Sequence, residues 1–90
     1  MAEQTLEFRG IRCEHLMNYF KELEAEQQTF AFPYVFHGPG WRADILREDQ
    51  VRITSRFVVN AVFVRFEASS EQELQDVIAA YRRKTFRAGG

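Results

Sequence analysis

The chain ends in Tyr81-Arg82-Arg83-Lys84-Thr85-Phe86-Arg87-Ala88-Gly89-Gly90, and its last two residues are the ones whose types and spacing suggest chemistry. A terminal Gly-Gly pair has no Cβ atoms, so its backbone can pass through a narrow channel and bend where other residues would collide. An adenylating enzyme that admits such a tail could activate the Gly90 carboxylate as an acyl-adenylate, and a sulfur donor could convert that to a thiocarboxylate. Glycine is also the ordinary residue after a helix C-terminus, so Gly89 and Gly90 read equally as a helix stop. Arg82, Arg83, Lys84 and Arg87 beside them could dock on an anionic ligand or an acidic partner; as the last turn of a helix they also match its dipole.

Two further groups have a pattern that could bind something. Arg52, Thr54 and Arg56 would project from the same face of a hairpin, with Arg42 or Arg47 nearby. Such a face could hold an anionic ligand or partner, since the Arg fork suits carboxylates and phosphates. The same face could instead be solvated, with cross-strand pairs to Asp44 or Glu48. Phe30, Phe32, Tyr34, Phe36 and Trp41 form a dense aromatic segment around Pro33 that could line a pocket, build a homodimer interface or fill the core.

Other chemistry is excluded by spacing. Cys13 and His15 stand at i and i+2, so a helix turns them to different faces and they form no local nucleophile–base pair. Cys13 falls on an apolar stripe and reads as core, while His37 stands alone beside a turn. Two His and one Cys without close spacing make no zinc site. There is no phosphate-binding glycine loop and no nucleophile elbow, so the expectation is a non-enzymatic domain with no cofactor and no metal.

The elements that must position these residues are legible in the hydrophobic period. Thr5 to Arg9 alternates as a strand and ends at Gly10. Cys13, Leu16, Met17, Phe20 and Leu23 then predict a helix from Arg12 to about Ala25. Glu22, Glu24 and Glu26 oppose its dipole at the far end. Thr29 to Phe36 reads as an edge strand or an extended arm, because Pro33 lacks a backbone donor. His37-Gly38-Pro39-Gly40-Trp41 is the strongest turn signal. Trp41 to Leu46 and Val51 to Ser55 read as two strands joined by a polar turn at Glu48-Asp49-Gln50, followed by a long strand from Phe57 to Glu67 in which Asn60 marks a bulge. Ser70 and Glu73 stand at capping-box spacing, and Leu74, Val77, Ile78 and Tyr81 continue a helix to Thr85 or Phe86.

The order is strand, helix, three or four strands, helix. It predicts an α+β two-layer sandwich in which an antiparallel sheet of four to five strands carries both helices on one face. Residues 1–86 form one domain and 87–90 a short tail, since 90 residues hold only one core. A 46% hydrophobic composition with nine Phe excludes a disordered chain. A net charge of −1 argues against nucleic-acid binding, even with ten Arg against two Lys. A single Cys and no long apolar run predict a reduced cytoplasmic protein without a membrane segment.

The segments Leu6-Glu7-Phe8-Arg9-Gly10-Ile11-Arg12, Gly38-Pro39-Gly40-Trp41 and Tyr81 to Gly90 together resemble a small bacterial family. It is the C-terminal domain of proteins related to the small subunit of molybdopterin synthase. The resemblance implies an accessory or protein-interaction role in molybdenum-cofactor biosynthesis. It also implies an adenylating or molybdopterin-synthase-type enzyme as partner, and a sulfur-carrier-like Gly89-Gly90 terminus guided by Arg82, Arg83 and Arg87. The synthase subunit itself is a β-grasp fold that opens with a strand hairpin. Here a helix follows the first strand directly, so only the ending matches that carrier. The alternative is a small-ligand-binding or homo-oligomerising module that uses the aromatic segment and the Arg-bearing strands.

Overall fold

A computed structural model describes the backbone of residues 1–89 and the side chains of residues 1–86. The elements follow the expected order: β1 (Ala2–Arg9), α1 (Cys13–Glu22), β2 (Glu26–Gln27), β3 (Tyr34–Gly38), β4 (Trp41–Arg52), β5 (Val58–Ala68) and α2 (Glu71–Gly89). The strands form one antiparallel sheet in the order β1-β5-β4-β3-β2. β2 to β5 are thus a meander, and β1 lies beside the last strand of that meander.

Both helices cover one face. Phe66 on β5 meets Phe20 of α1 and Tyr81 of α2, with ring centroids 5.8 and 5.4 Å away, and a single side chain can only point to one side of its strand. The alternation that predicted β5 therefore decides the layering. Val62, Val64 and Phe66 are fully buried against the helices, while Phe63, Arg65 and Glu67 face the other way. Phe20 is the centre of the core: its ring stacks on Tyr81 at 4.2 Å and on Phe36 at 5.0 Å. Tyr81 buries its hydroxyl as well and donates to the Leu16 carbonyl at 2.9 Å, which ties α2 to α1.

α1 stops at Glu22, three residues short of the expected end. Glu24 takes a left-handed φ of 66°, and the amides of Glu24 and Ala25 turn back to the carbonyls of Lys21 and Phe20. No glycine stands there, so the acidic end of the helix terminates on a strained non-glycine residue.

The turn expected at Glu48-Asp49-Gln50 does not exist. β4 continues through it to Arg52, because Glu48 lies opposite Val62 and Gln50 opposite Asn60 in an unbroken ladder with β5. Polar residues in a strand mark a solvated stretch as readily as a turn, and none of these three has a positive φ. The reversal comes at Ile53 to Phe57, where the Ile53 amide donates to the Phe57 carbonyl at 2.8 Å. The bulge is also displaced: it falls between Ile45 and Arg47 on β4, not at Asn60. One extra residue there, Leu46, changes the face on which every later β4 side chain emerges.

The Thr29 to Phe36 segment divides. Thr29 to Pro33 is a loop folded around the Thr29 hydroxyl, which donates to the Pro33 carbonyl at 2.7 Å and accepts from the Val35 amide at 3.0 Å. The Phe32–Pro33 peptide is cis, and regular pairing begins only at Tyr34. The Pro39-Gly40 turn is as expected, with Gly40 at φ +81°. Gly38 is required for a different reason: the Trp41 indole lies across its Cα, where a Cβ would collide with the ring.

Candidate functional site

The sequence-derived residues fall in four places. The first is the end of α2. The helix starts at a Ser70 cap, whose hydroxyl accepts from the Glu73 amide at 3.1 Å. It is anchored along its length by Leu74, Val77, Ile78 and Tyr81, and Thr85 is the last buried side chain described. Lys84 is held by Glu22 of α1 at 3.1 Å, leaving Arg82 and Arg83 exposed on the basic end. The backbone stays helical to Gly89, past the expected stop at Thr85 or Phe86. Arg87 and Ala88 are good helix formers, and a glycine in the last turn costs only about 1 kcal/mol relative to alanine. The side chain of Arg87 and the whole of Gly90, with them part of the expected docking and carrier group, lie outside the described residues.

The second place is the open sheet face. Its centre is Asp44, buried between Arg42 and Arg65. Arg42 Nε and Nη2 donate to the two Asp44 oxygens at 2.9 and 3.2 Å, and Arg65 Nη2 donates at 2.8 Å. Burial pushes the Asp44 carboxyl up, but the hydrogen bonds from Arg42 and Arg65 and their charges outweigh it and hold it below the usual carboxylate range. Arg47 pairs with Asp49 at 2.7 Å and lies 4.2 Å over the Phe63 ring. These arginines are engaged with carboxylates or an aromatic face. Arg52 and Arg56 stand elsewhere: Arg52 is the last residue of β4, and Arg56 is in the turn that follows.

The third place is the aromatic segment, which is split by role. Phe36 is fully buried and Trp41 packs on the core, 5.9 Å from Phe20. Phe30, by contrast, is 82% exposed, and Phe32 is exposed with its ring edge-on to half-buried Tyr34 at 4.7 Å.

The fourth place joins Phe32 and Tyr34, two of the residues expected to line a pocket, to Arg12, Glu48 and Asn60, which the sequence did not mark as a site. Beneath the β4–β5 hairpin, where it outruns the helices, lies an open trough of about 820 Å³. Phe32 and Tyr34 form one wall; Arg12, Cys13, Glu48 and Asn60 lie along the rest. Glu48 Oε2 accepts from the Cys13 amide at 3.0 Å and from Asn60 Nδ2 at 2.9 Å, and Asn60 Nδ2 also donates to the Ile11 carbonyl at 2.7 Å. Arg12 provides no side-chain cap for α1. Glu48 therefore serves as its cap from 35 residues away, placing a carboxylate at the positive end of the helix. Cys13 lies against that carboxylate and is not an activated thiol. Burial, then Glu48 and Glu14, push it up to about 11. Among the described residues, no group of three or more His, Cys, Asp and Glu is placed to hold a metal ion, and no helix is long and apolar enough to cross a membrane.

Gly38 under Trp41, the β1 strand leading directly into α1, and the basic α2 end are the structural settings of the three segments that carried the family resemblance. The family model described as archaeal MoaD-like protein matches residues 4–90. The chain belongs to that family. The match spans the body and the terminus together, so the MoaD-like relationship is a property of the whole domain and does not rest on the two final glycines alone. It agrees with the resemblance to proteins related to the small subunit of molybdopterin synthase. Among curated proteins there is no match to the chain.

Proposed function

We propose that this MoaD-like domain is a non-enzymatic accessory domain of molybdopterin biosynthesis, acting in the cytoplasm. On this reading it docks on a protein partner through the basic end of α2 and offers the Gly90 carboxylate as a sulfur-carrier terminus. The observation that carries the reading is the coincidence of a family match extending to residue 90 with a helix whose last described buried side chain is Thr85. Phe86 is 80% exposed, so releasing it from the helix uncovers little of its own ring. Four extended residues, Arg87 to Gly90, would then reach about 13 Å into a partner's channel. Arg82 and Arg83 would stay on the helix to meet an acidic rim.

In this role the domain is the substrate of an adenylating enzyme. The Gly90 carboxylate attacks the α-phosphorus of ATP and releases pyrophosphate; a sulfide donor then displaces AMP and leaves a thiocarboxylate. Intact-mass spectrometry of the protein from its native cells tests this directly. The expected result is a species in which one oxygen is replaced by sulfur, localised to Gly90 and lost when Gly90 is deleted. An unmodified carboxylate, also after incubation with ATP and native lysate, would sink the carrier reading.

A second reading is favoured by a separate observation: Phe32 and Tyr34 stand at the wall of an open trough whose other side is the start of α1. A small-ligand module built there would lose binding on Phe32→Ala and be indifferent to loss of Gly90.

A further inference from the structure

We infer that the free edge of β1 pairs with β1 of a second copy of this chain, in the one antiparallel register that its charges favour over its full length. β1 is the outermost strand of the sheet, opposite the edge closed by the two-residue β2. Its eight residues contain no proline and no bulge, and the charges it carries, Glu3, Glu7 and Arg9, are of both signs. Which backbone groups it presents follows from the pairing with β5. The Gly10 amide donates to the Asn60 carbonyl at 2.8 Å, so Gly10 belongs to a hydrogen-bonded pair. By antiparallel alternation Ala2, Gln4, Leu6 and Phe8 also point their amides and carbonyls at β5. Those of Glu3, Thr5, Glu7 and Arg9 point away from the sheet.

A second β1 can bond to this edge only where outward residues meet outward residues. Centring the two-fold axis on Thr5 sets Glu3 against Glu7 of the second copy, and centring it on Glu7 sets that residue against itself. Both place like charges opposite each other. Centring it on Gln4 or on Phe8 overlaps only residues 2–6 or 7–9. With Leu6 opposite Leu6, residues 3–9 overlap, Glu3 meets Arg9 of the second copy twice, and Thr5 meets Glu7. This register also covers Leu6, which is half-buried in the single chain. The contact is self-complementary and closes, as a two-fold interface must.

α2 fits the same axis. Gln75 donates to Gln4 at 3.3 Å and Tyr81 sits edge-on to Phe8 at 5.5 Å, so the helix runs alongside β1 with Ala79 about level with Leu6. Gln75, Ala79, Arg82 and Phe86 fall on one stripe at four-, three- and four-residue spacing. All four are exposed, and the Gln75–Gln4 contact shows that the stripe is turned toward the free edge. In the pair, small Ala79 comes to the axis, and Gln75 stands opposite the Arg82-Arg83 turn of the second copy.

Sedimentation equilibrium tests the pairing, with circular dichroism confirming that each variant folds. The wild-type chain is expected to associate to twice its mass. Glu3→Arg replaces two attractive pairs by two repulsive ones and should weaken the dimer about tenfold. Adding Arg9→Glu to the same chain restores the pairs in reversed polarity and should recover it. A folded Thr5→Pro chain, which lacks an outward amide but keeps its bonds to β5, should be monomeric. A wild-type monomer throughout the micromolar range overturns the inference, as does a dimer indifferent to Glu3→Arg, which would place the contact on another face such as Phe30 and Phe32.

Discussion

Replacing Asp44 by asparagine removes a charge from the middle of the open sheet face and nothing else of size. The side chain is only 3% exposed and accepts three hydrogen bonds from two guanidinium groups, so its loss is felt by both β4 and β5. A hydrogen bond to a charged group contributes about 1.5–3 kcal/mol. Arg42 and Arg65 are 45% and 37% exposed, however, and recover water when the carboxylate is gone. Screening therefore cuts the sum severely, and the net cost is about 2 kcal/mol at neutral pH. For a chain of this size that lowers Tm by about 8–16 °C. Thermal and urea denaturation followed by circular dichroism measure it. The pH dependence supplies a second check. The Asp44 carboxyl is held below its unfolded value, so its contribution is complete above about pH 4 and is lost as pH falls through the folded value. Wild type and Asp44→Asn should accordingly converge in acid. A neutral-pH difference below about 0.5 kcal/mol, the range of ordinary surface changes, would refute the reasoning. So would a gap that persists undiminished in strong acid.

Three other outcomes follow from single contacts. Tyr81→Phe should cost about 1 kcal/mol, read by urea denaturation, because it deletes the buried bond to the Leu16 carbonyl while keeping the ring stack on Phe20. Gly38→Ala drives a methyl group into the Trp41 indole and should lower stability by about 1–3 kcal/mol with a change in Trp fluorescence, the indole being displaced from Phe20. Cys13 should resist alkylation at neutral pH in the folded state and react at once in denaturant, since its thiol is buried and pushed up to about 11.

Several features were readable because one residue type or one local period decides them. The α2 helix follows from a Ser70 cap, an apolar stripe and charges matched to the dipole, all along one continuous segment. The β5 strand follows from uninterrupted alternation of β-prone residues. The Pro39-Gly40 turn follows from the fixed φ of proline and the positive φ that glycine admits at little cost. The α+β order, with both helices on one side, follows in turn from the number and sequence of such segments. The C-terminal residues and the short segments around Gly10 and Trp41 were enough to indicate the MoaD-like family.

Tertiary structure decided what depends on partners distant in the chain. Glu48 looked like part of a turn; its place in a ladder opposite Val62, and its bond to the Cys13 amide, depend on residues 14 and 35 positions away. The bulge at Leu46 was invisible because nothing in a strand announces which residue will be left unpaired. The five aromatic residues were one cluster in sequence and became core, wall and exposed loop, since the Thr29 hydroxyl, bonded to the Pro33 carbonyl and the Val35 amide, folds the chain between Phe30 and Tyr34. Charges on the open sheet face were likewise ambiguous in sequence, where spacing along a strand is known and cross-strand register is not. Only the register brings Arg65 beside Asp44 and leaves β1 as an edge with Glu3 and Arg9 at opposite ends. Local geometry is encoded by neighbours, whereas register is a cooperative property of the whole sheet.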